Sequence, residues 1–478
     1  MTAVKNPGQK NRSRRLNWKP SYVEQDAMFP PLASAGIHFD DWDSWDDPFH
    51  MNYRQYIDVQ AKKEVGFHPV RDAFERYDGF QHMPRRWAEG MKLVFPFLQT
   101  AELAANRAHA RTSRYAPAPA LRSAAFYQSI DELRHYQNHL YEMRLYNQKC
   151  DGFDNWAYWR DNHWVIRPAL TTFEDIMACD NVFETVMALN LCVEVVFTNL
   201  IFVGIPSVGA LNGDTALAQE MLTTQSDETR HMAIGQSTIR TLLRDERNLP
   251  QIQYWLDKWF WMHHRATAGP TSLIPDYFAK RKYISFKQMY QRYVVDNFVA
   301  GMVEDLAEFG LKPPRHLEQA KAELDDYSHS LYRALFQYKN VLFNRCFVPT
   351  DEDLEFFNAN YPTFEANHGG FWDEVRAGDP KDLPQLPMLC QLCNLPCVFP
   401  TPENPSVCCT MHPGPSGETQ AFWFCSEGCK WIFDNEPHRY SGRVTLDRVY
   451  NGMDIPALRE RMGLPKGIGG TLSAEDDI

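Results

Sequence analysis

The chain has 478 residues, of which 44% are hydrophobic and 23% charged, the proportions of a globular protein. With 49 basic and 61 acidic residues its net charge is −12, which argues against a nucleic acid as the main partner because phosphate binding needs a concentrated basic face. Eight of the 11 cysteines follow Lys339, a distribution that favours reduced thiols and a metal site over a secreted disulfide framework.

The first part of the chain is expected to be an arm followed by turns. Residues 1–30 form the expected flexible N-terminal arm, which begins with several lysines and arginines and lacks the apolar segment of a signal peptide. From residue 31 to about residue 90 the chain is rich in Asp, Trp and Pro. This composition predicts helix caps and turns rather than an acidic metal loop.

Three stretches have the apolar periodicity of long helices. They cover residues 91 to 114, where Pro96 predicts a kink, residues 121 to 147, and residues 215 to 244. In the first of them Glu102 stands among small residues, which lets another helix approach closely. Further helical stretches extend to about residue 344, so residues 31–375 are predicted to form a mainly α, ferritin-like helical bundle.

A fourth stretch, residues 186 to 205, is apolar and long enough in principle to span a bilayer. Four polar residues fall in its centre at helical spacing: Asn190, Glu194, Thr198 and Asn199. This spacing favours a helix that is buried in protein and faces a polar site, so no membrane association is expected. The Gly and Pro residues between Gly204 and Gly213 are predicted to break the helix.

One short motif occurs twice. Asp131-Glu132-Leu133-Arg134-His135 recurs, with one change, as Asp227-Glu228-Thr229-Arg230-His231. Glu and His three positions apart lie on one face of an α-helix, so each copy directs a carboxylate and an imidazole at one spot. A single copy would more simply be an exposed helix with charge pairs, but two copies predict a shared dinuclear metal site of the di-iron carboxylate type.

Such a site needs two more carboxylates, from helices near the two motif helices. Glu102 and Glu194 meet this requirement, because each precedes its motif by one helix-turn-helix and lies in an apolar helix where an unpaired charge is costly. Four carboxylates and two imidazoles suit a pair of iron ions. A metal-bound His also needs an acceptor for its other ring nitrogen. Asp131 and Asp227 are predicted to orient the imidazole of the opposite motif, with Arg134 and Arg230 neutralising them.

The cysteines near the end of the chain predict a second metal site. Cys390 and Cys393 form a Cys-x2-Cys pair and Cys425 and Cys429 a Cys-x3-Cys pair, a pattern typical of tetrahedral structural zinc. Four other residues compete as ligands: Cys397, Cys408, Cys409 and His412. Residues 376–478 are therefore predicted to form a small zinc-binding module that serves stability or partner docking.

The sequence resembles a known family, the large (alpha, oxygenase) subunits of bacterial multicomponent di-iron monooxygenases, and most closely those of phenol hydroxylases. The resemblance extends over nearly the whole chain. It is carried by residues 42–49, by the segments around both motifs, by Asp257-Lys258-Trp259-Phe260-Trp261, and by the late cysteine module, which is similar to a YHS domain.

The resemblance implies roles for individual residues. Glu102, Glu132 and His135 would hold one iron, and Glu194, Glu228 and His231 the other, with a carboxylate bridge. Thr198 would relay protons during O2 activation, although a helical Thr also commonly bonds the carbonyl four residues back. Asn199 matches a residue linked to a solvent pore, but it also fits a satisfied core amide. Leu98, Ala101, Ala105 and Phe202 are expected to line the substrate pocket, although apolar residues at such spacing are more often plain core.

The implied function is O2-dependent hydroxylation of phenol or a related small aromatic at the di-iron centre. An alkene, an alkane or a sulfide would also suit a small apolar pocket. A desaturase or a radical subunit is an alternative, but a radical subunit usually has Tyr where this chain has His139. An iron-storage protein is a further rival, but it would need one small bundle and no zinc module.

The chain needs other proteins to receive electrons. It has no Gly-rich dinucleotide fingerprint and no ferredoxin-like cysteine run, so it has no visible means of taking electrons from NADH. The resemblance implies a separate reductase with flavin and an iron–sulfur cluster, a regulatory protein, and beta and gamma hydroxylase subunits. The expected assembly is a hetero-hexamer with two copies of each hydroxylase subunit, located in the cytoplasm.

Overall fold

The structure is a computed structural model that describes residues 36–150, 152–153, 160–339, 345–379, 388–397, 408–449, 454, 457 and 470–472. The arm predicted at residues 1–30 lies outside these ranges. Helices dominate the described residues, which confirms the prediction of a mainly α-helical protein.

Seven helices build the part of the fold that positions the site. They are α1 (Tyr53–Arg76), α2 (Arg85–Tyr115), α3 (Pro119–Asn147), α4 (Arg167–Met177), α5 (Val182–Leu211), α6 (Thr215–Leu242) and α7 (Leu249–Leu273). Helix α2 packs antiparallel to α3, with Asn106 opposite Ser129 and Phe95 opposite Tyr146. Helix α5 packs between α6 and α7. The predicted helices at residues 91 to 114, 121 to 147 and 215 to 244 correspond to α2, α3 and α6.

Helix α1 lies in the region for which the sequence predicted caps and turns. It begins at a capping box, in which Asn52 Oδ1 accepts a hydrogen bond from the backbone N–H of Gln55, and Gln55 Oε1 accepts one from the backbone N–H of Asn52. Its only buried residues are Tyr56, Gln60, Phe67 and Phe74. A helix with so few buried positions has a weak apolar period, which is why the prediction was wrong here. Turns are present at Trp42–Ser44 and Gly79–His82, which are 3₁₀ helices.

Helix α5 is wound more loosely than an α-helix over much of its length. Met187–Thr198 and Leu200–Gly204 are π-helical. This geometry is rare in proteins, and where it occurs it is often found at functional sites. The predicted break between Gly204 and Gly213 does not occur before Leu211. Pro206 lies inside this helix, where the π-helical winding gives way to the final α-helical segment, Ile205–Leu211. The chain then turns at Gly213, whose φ is 89°.

Among the described helices, α5 is the one that length and composition would allow to cross a membrane. Inside the protein, 83% of its apolar window is buried. Its apolar side chains are therefore covered by other helices, as the central polar residues predicted.

Smaller elements complete the fold. The remaining α-helices of the described residues are α8 (Phe286–Tyr290), α9 (Glu304–Ala307), α10 (Leu317–Glu323), α11 (Tyr327–Gln337), α12 (Asp351–Asn360), α13 (Gly370–Arg376), α14 (Glu427–Asn435), α15 (Pro437–Tyr440) and α16 (Leu446–Val449). Three segments are π-helical, Ile274–Phe278, Gln291–Val303 and Glu365–Gly369, and Glu246–Asn248 is a 3₁₀ helix. Strands β1 (Arg345–Phe347) and β4 (Gly470–Leu472) pair in parallel. Strands β2 (Cys408–Pro413) and β3 (Thr419–Phe424) form an antiparallel hairpin.

The C-terminal elements pack against α7. Gly428 lies so close to Trp261 that an added Cβ would be 2.3 Å from the Trp261 ring. The buried Lys258 ammonium lies 2.9 Å from Glu184 Oε1 and 2.8 Å from Glu436 Oε2. Removing either partner of a buried ion pair is costly, so Lys258 ties the C-terminal elements firmly to the helical bundle.

Candidate metal centre

Six buried side chains converge between four helices. Helix α2 supplies Glu102, α3 supplies Glu132 and His135, α5 supplies Glu194, and α6 supplies Glu228 and His231. Their oxygen and nitrogen atoms form two groups within 4.8 Å, one of Glu132, Glu194, Glu228 and His231, the other of Glu102, Glu132 and His135. Because Glu132 belongs to both groups, it lies between two candidate metal positions.

The two imidazoles present the same ring nitrogen to the carboxylates. His135 Nδ1 lies 3.5 Å from Glu102 Oε2, 3.5 Å from Glu132 Oε2 and 3.3 Å from Glu228 Oε1. His231 Nδ1 lies 3.1 Å from Glu228 Oε2, 3.4 Å from Glu132 Oε1 and 3.6 Å from Glu194 Oε1. Each Nδ1 is therefore surrounded by oxygen atoms of the kind that share a metal ion with imidazole.

The other ring nitrogen of each imidazole is held by the opposite motif. His135 Nε2 lies 3.2 Å from Asp227 Oδ2, and His231 Nε2 lies 3.2 Å from Asp131 Oδ2. An N–H at Nε2 that donates to the aspartate leaves the lone pair of Nδ1 facing the carboxylates. Each aspartate also pairs with the arginine of the other motif: Arg134 pairs with Asp227, and Arg230 pairs with Asp131.

The electrostatics of the group fit a pair of cations. Burial, and then the neighbouring Glu102 carboxylate, raise the pKa of Glu132 to about 8. Burial and repulsion from nearby carboxylates raise the pKa values of Glu194 and Glu228 well above their usual range. Glu194 Oε2 and His135 Nδ1 are buried without a hydrogen-bond partner. Hard oxygen donors with two imidazoles are a suitable set for two iron ions, which would relieve this repulsion.

Comparison with known proteins agrees with this geometry. The chain is 32% identical over 451 residues to the oxygenase component DmpN of phenol 2-monooxygenase from Pseudomonas sp. (strain CF600), which covers 92% of this chain and 86% of that protein. The chain belongs to the methane, phenol and alkene hydroxylase family. The model of this family, Methane/Phenol/Alkene Hydroxylase, matches residues 18–246 of the hydroxylase.

Two further relatives cover the hydroxylase almost completely. It is 29% identical to the alpha subunit of the oxygenase component of the alkene monooxygenase system from Xanthobacter autotrophicus (strain ATCC BAA-1158 / Py2), over 96% of this chain and 94% of that protein. The crystal structure of xenon-pressurized phenol hydroxylase from Pseudomonas sp. OX1 superimposes with a TM-score of 0.91 at 28% identity, covering 100% of this chain and 99% of that one. The hydroxylase is thus the large oxygenase subunit of a monooxygenase.

Helix α1 covers the two motif aspartates, a feature that was not predicted from the sequence. Tyr56 Oη donates to Asp131 Oδ1 at 2.8 Å. Gln60 Nε2 lies 2.8 Å from Asp131 Oδ1 and 2.8 Å from Asp227 Oδ1, and the Lys63 ammonium pairs with Asp227. The spacing of these three polar residues, four and then three positions, places them on one helix face and was the available signal.

His139, noted in the sequence only because it stands where a radical subunit has Tyr, contacts a candidate iron ligand. Its Nε2 lies 3.2 Å from Glu102 Oε1, and its Nδ1 lies 2.7 Å from Glu220 Oε1. The ring also stacks on Phe202, with centroids 6.2 Å apart. Glu220, fully buried on α6, was not predicted. It lies eight positions before Glu228 on the same helix, two turns away, which was a weak signal.

Thr198 and Asn199, adjacent in the chain, have different surroundings. Thr198 is buried and its Oγ1 donates to the carbonyl of Val193 at 3.2 Å. The alternative of a bond four residues back is wrong by one residue, because the π-helical turn brings the fifth preceding carbonyl into reach. Asn199 is half-buried, and its Oδ1 accepts from Gln225 Nε2 at 2.8 Å. It is thus a hydrogen-bonded amide near the surface of the bundle and not a core amide.

A small cavity of about 40 Å³ lies beside the four carboxylates of this group. Its walls contain all four residues predicted to line the substrate pocket: Leu98, Ala101, Ala105 and Phe202. Other lining residues are Phe97, Phe173, Leu189, Val193, Thr198 and Ile201, and the carboxylates of Glu102, Glu132, Glu194 and Glu228 form one side. The cavity is therefore apolar except where it meets the candidate metal centre, as small-molecule sites commonly are.

The cysteines of the predicted zinc site meet at the edge of the C-terminal hairpin. The sulfur atoms of Cys390, Cys393, Cys425 and Cys429 lie within 4.8 Å of one another. Cys393 Sγ is 3.5 Å from Cys425 Sγ, which is 3.7 Å from Cys429 Sγ. Trp261 Nε1 donates to Cys429 Sγ at 3.4 Å, so the cluster is in contact with α7.

The four competing residues lie outside this cluster. Cys408 Sγ donates to Glu427 Oε1 at 3.1 Å, and His412 Nδ1 lies 2.7 Å from the Pro413 carbonyl. Cys397 is buried and Cys409 half-buried, and neither belongs to the four-sulfur group. The four cysteines whose spacing predicted the zinc site are therefore also the ones whose sulfur atoms lie together.

Proposed function

We propose that this hydroxylase uses O2 to hydroxylate phenol or a related small aromatic molecule at two iron ions. The proposed iron ligands are Glu102, Glu132, His135, Glu194, Glu228 and His231. One observation carries the proposal: the four carboxylates form one wall of a small cavity whose other walls are mainly apolar and aromatic side chains, the surroundings that suit an aromatic substrate. The names of the phenol and alkene monooxygenase relatives support the same reaction class.

The iron pair, when bound, supplies the activation of O2. The residues of the chain hold and enclose the reacting groups. Asp131 and Asp227 keep each imidazole oriented with its lone pair toward the metal. The apolar walls exclude water and hold the substrate ring beside the carboxylates. Thr198 Oγ1, on the cavity wall, donates to a helix carbonyl and retains lone pairs that can accept a hydrogen bond from a proton donor in the cavity, as a proton relay requires. Asn199, bonded to Gln225, lies on the solvent side of the same helix turn.

The proposed electron source is NADH, acting through a separate reductase that contains flavin and an iron–sulfur cluster. The relatives named as oxygenase components support a system with several proteins. Beta and gamma subunits, in two copies each with this chain, and a regulatory protein complete the proposed assembly, in the cytoplasm. Eleven free cysteines are consistent with a reducing compartment.

The proposed domain division has a helical hydroxylase domain at residues 31–375 and a zinc-binding module at residues 376–478. The four clustered thiols of Cys390, Cys393, Cys425 and Cys429 support one zinc ion per chain. A site with four thiolates leaves no open position, so the proposed role of zinc is structural.

Iron analysis of single-residue variants tests the iron ligands. Purified wild-type chain is expected to hold two irons, and His135→Ala and Glu228→Ala are expected to lose iron. Asp58→Ala, at an exposed position of α1, is the control. Wild-type iron content in both ligand variants would contradict the assignment.

Product analysis tests the substrate class. The complete system, with NADH and its partner proteins, is offered phenol, toluene, propene, propane and a dialkyl sulfide in parallel. Hydroxylated aromatics are expected as the main products. Preferential epoxidation of propene would favour an alkene monooxygenase instead. Preferential formation of propanol would favour an alkane monooxygenase, and preferential formation of the sulfoxide a sulfide monooxygenase.

The purified chain alone is expected to be nearly inactive with NADH and O2, because it has no visible site for taking electrons from NADH. Robust turnover by the single chain would contradict the need for a reductase.

A further inference from the structure

Gln128, one turn before Glu132 on α3, donates to two of the six proposed iron ligands. Its Nε2 lies 3.1 Å from Glu132 Oε1 and 2.6 Å from Glu194 Oε1. The Gln128 side chain is fully buried, so both hydrogen bonds are made away from water. They join α3 to α5 and bridge two carboxylates that otherwise repel each other.

A second buried amide fixes the orientation of Gln128. Asn190 Nδ2, from α5, donates to Gln128 Oε1 at 2.7 Å and to the carbonyl of His231 at 3.1 Å. Because Gln128 Oε1 accepts from Asn190, its NH2 group must face the carboxylates. Gly235 permits this contact, since an added Cβ on α6 would lie 2.5 Å from Asn190 Cβ. The two amides thus connect α3, α5 and α6.

The repeated motif does not account for this arrangement. The position equivalent to Gln128 in the second motif, four residues before Glu228, is Thr224. Thr224 is also fully buried, but its Oγ1 has no hydrogen-bond partner among the described residues. Among the described residues, this motif position therefore carries an amide donor on α3 and has no counterpart on α6.

We propose that Gln128, oriented by Asn190, is a positioning residue that holds Glu132 and Glu194 in the arrangement that binds iron. The inference rests on the proposed iron pair. A neutral amide donates hydrogen bonds to both carboxylates and reduces their repulsion without adding a cation that would compete with the metal. Its bond to Glu194 Oε1 leaves Glu194 Oε2, which has no hydrogen-bond partner, for the metal.

The test compares the purified hydroxylase with its Gln128→Met and Thr224→Val variants. Gln128→Met keeps the length of the side chain and removes both of its hydrogen-bonding ends. Thr224→Val is the matched control, because it removes a buried polar atom without a partner from the same motif position. Iron per chain, the rate of iron loss to a ferrous chelator, and the Mössbauer spectrum are measured for each protein.

Gln128→Met is expected to lose iron about tenfold faster or more, the usual effect of removing a group that orients a metal ligand, and to have an altered Mössbauer spectrum. Thr224→Val is expected to match the wild type. A wild-type rate and spectrum in Gln128→Met would overturn the positioning role, and so would an equal acceleration in Thr224→Val.

Two further results are distinguishable from these. A wild-type chain that binds no iron would overturn the proposed function itself. If circular dichroism shows that Gln128→Met does not fold, Asn190→Leu takes its place, because it removes the donor that orients Gln128. The same acceleration is expected there, and a wild-type rate and spectrum would overturn the inference.

Discussion

Asp227 Oδ2 lies 3.2 Å from Nε2 of His135, which is 92 positions earlier in the chain. The equivalent contact joins Asp131 Oδ2 to Nε2 of His231 over the same distance. Each copy of the motif therefore supplies an imidazole to the metal centre and the acceptor that orients the imidazole of the other copy. The two motif helices depend on each other for a correctly oriented ligand.

Asp227→Asn is expected to weaken iron binding by about 10- to 100-fold, because the imidazole of His135 loses its anionic acceptor and Arg134 loses its buried partner. Competition with a chelator measures the affinity. Asp72→Asn, at an exposed position of α1, is the control and should behave as wild type. Unchanged affinity in Asp227→Asn would show that the aspartate does not orient the ligand.

Ala105→Leu is expected to lower kcat/KM for phenol by about tenfold or more while iron content stays at the wild-type level. The added carbons would occupy the small cavity beside the carboxylates and leave less room for the substrate, and a tenfold fall corresponds to about 1.4 kcal/mol of lost transition-state stabilisation. Steady-state kinetics of the complete system measure the effect. Ala110→Leu, at an exposed position of the same helix, is the control. Equal kinetics in both variants would place the substrate elsewhere.

Cys393→Ser is expected to lose zinc and to unfold at a lower temperature, because a structural zinc site contributes several kcal/mol to folding. Iron should still assemble in the chains that fold, since the six donors lie on the helices of the bundle. Zinc analysis and thermal unfolding provide the measurements, with Cys409→Ser, outside the four-sulfur group, as the control. A stable Cys393→Ser protein that keeps its zinc would exclude this ligand set.

His263 on α7 predicts a pH dependence of stability. Burial lowers the pKa of His263 to about 3, and the rings of Phe173, Phe197 and Trp259 surround it at 5.9–6.1 Å. Below the unfolded-state pKa of about 6.5 the unfolded chain binds a proton that the folded chain does not. Stability should therefore fall as pH drops from about 6.5 toward 3, by up to about 1.4 kcal/mol per pH unit from this group.

His263→Phe is expected to reduce this pH dependence of the free energy of unfolding by about one proton. Urea unfolding between pH 7.5 and about pH 5 measures the slope. Ala110→Phe, at an exposed position of α2 and without a titratable group, serves as the control and should keep the wild-type slope. A wild-type slope in His263→Phe would mean that the buried imidazole does not set it.

The sequence by itself determined the composition of the candidate metal centre. Glu and His three positions apart must share a helix face, so the repeated motif predicted four of the six donors before any fold was known. Glu102 and Glu194 followed because carboxylates are rare in apolar helices. These inferences depend on geometry within one or two helical turns, which the chain determines locally.

Contacts between helices were decided only by the tertiary structure. The polar helix α1 has too few buried residues for a clear apolar period, and the spacing of its polar residues indicates a shared face but not the partners of that face, so helix packing decided the Gln60 bridge between Asp131 and Asp227. The π-helical winding of α5 moved the hydrogen bond of Thr198 to the fifth preceding residue. Gln128 and Asn190 meet only because Gly235 lets α5 and α6 approach closely. Such pairings depend on helix packing, and residue spacing along one helix carries no information about the neighbouring helix.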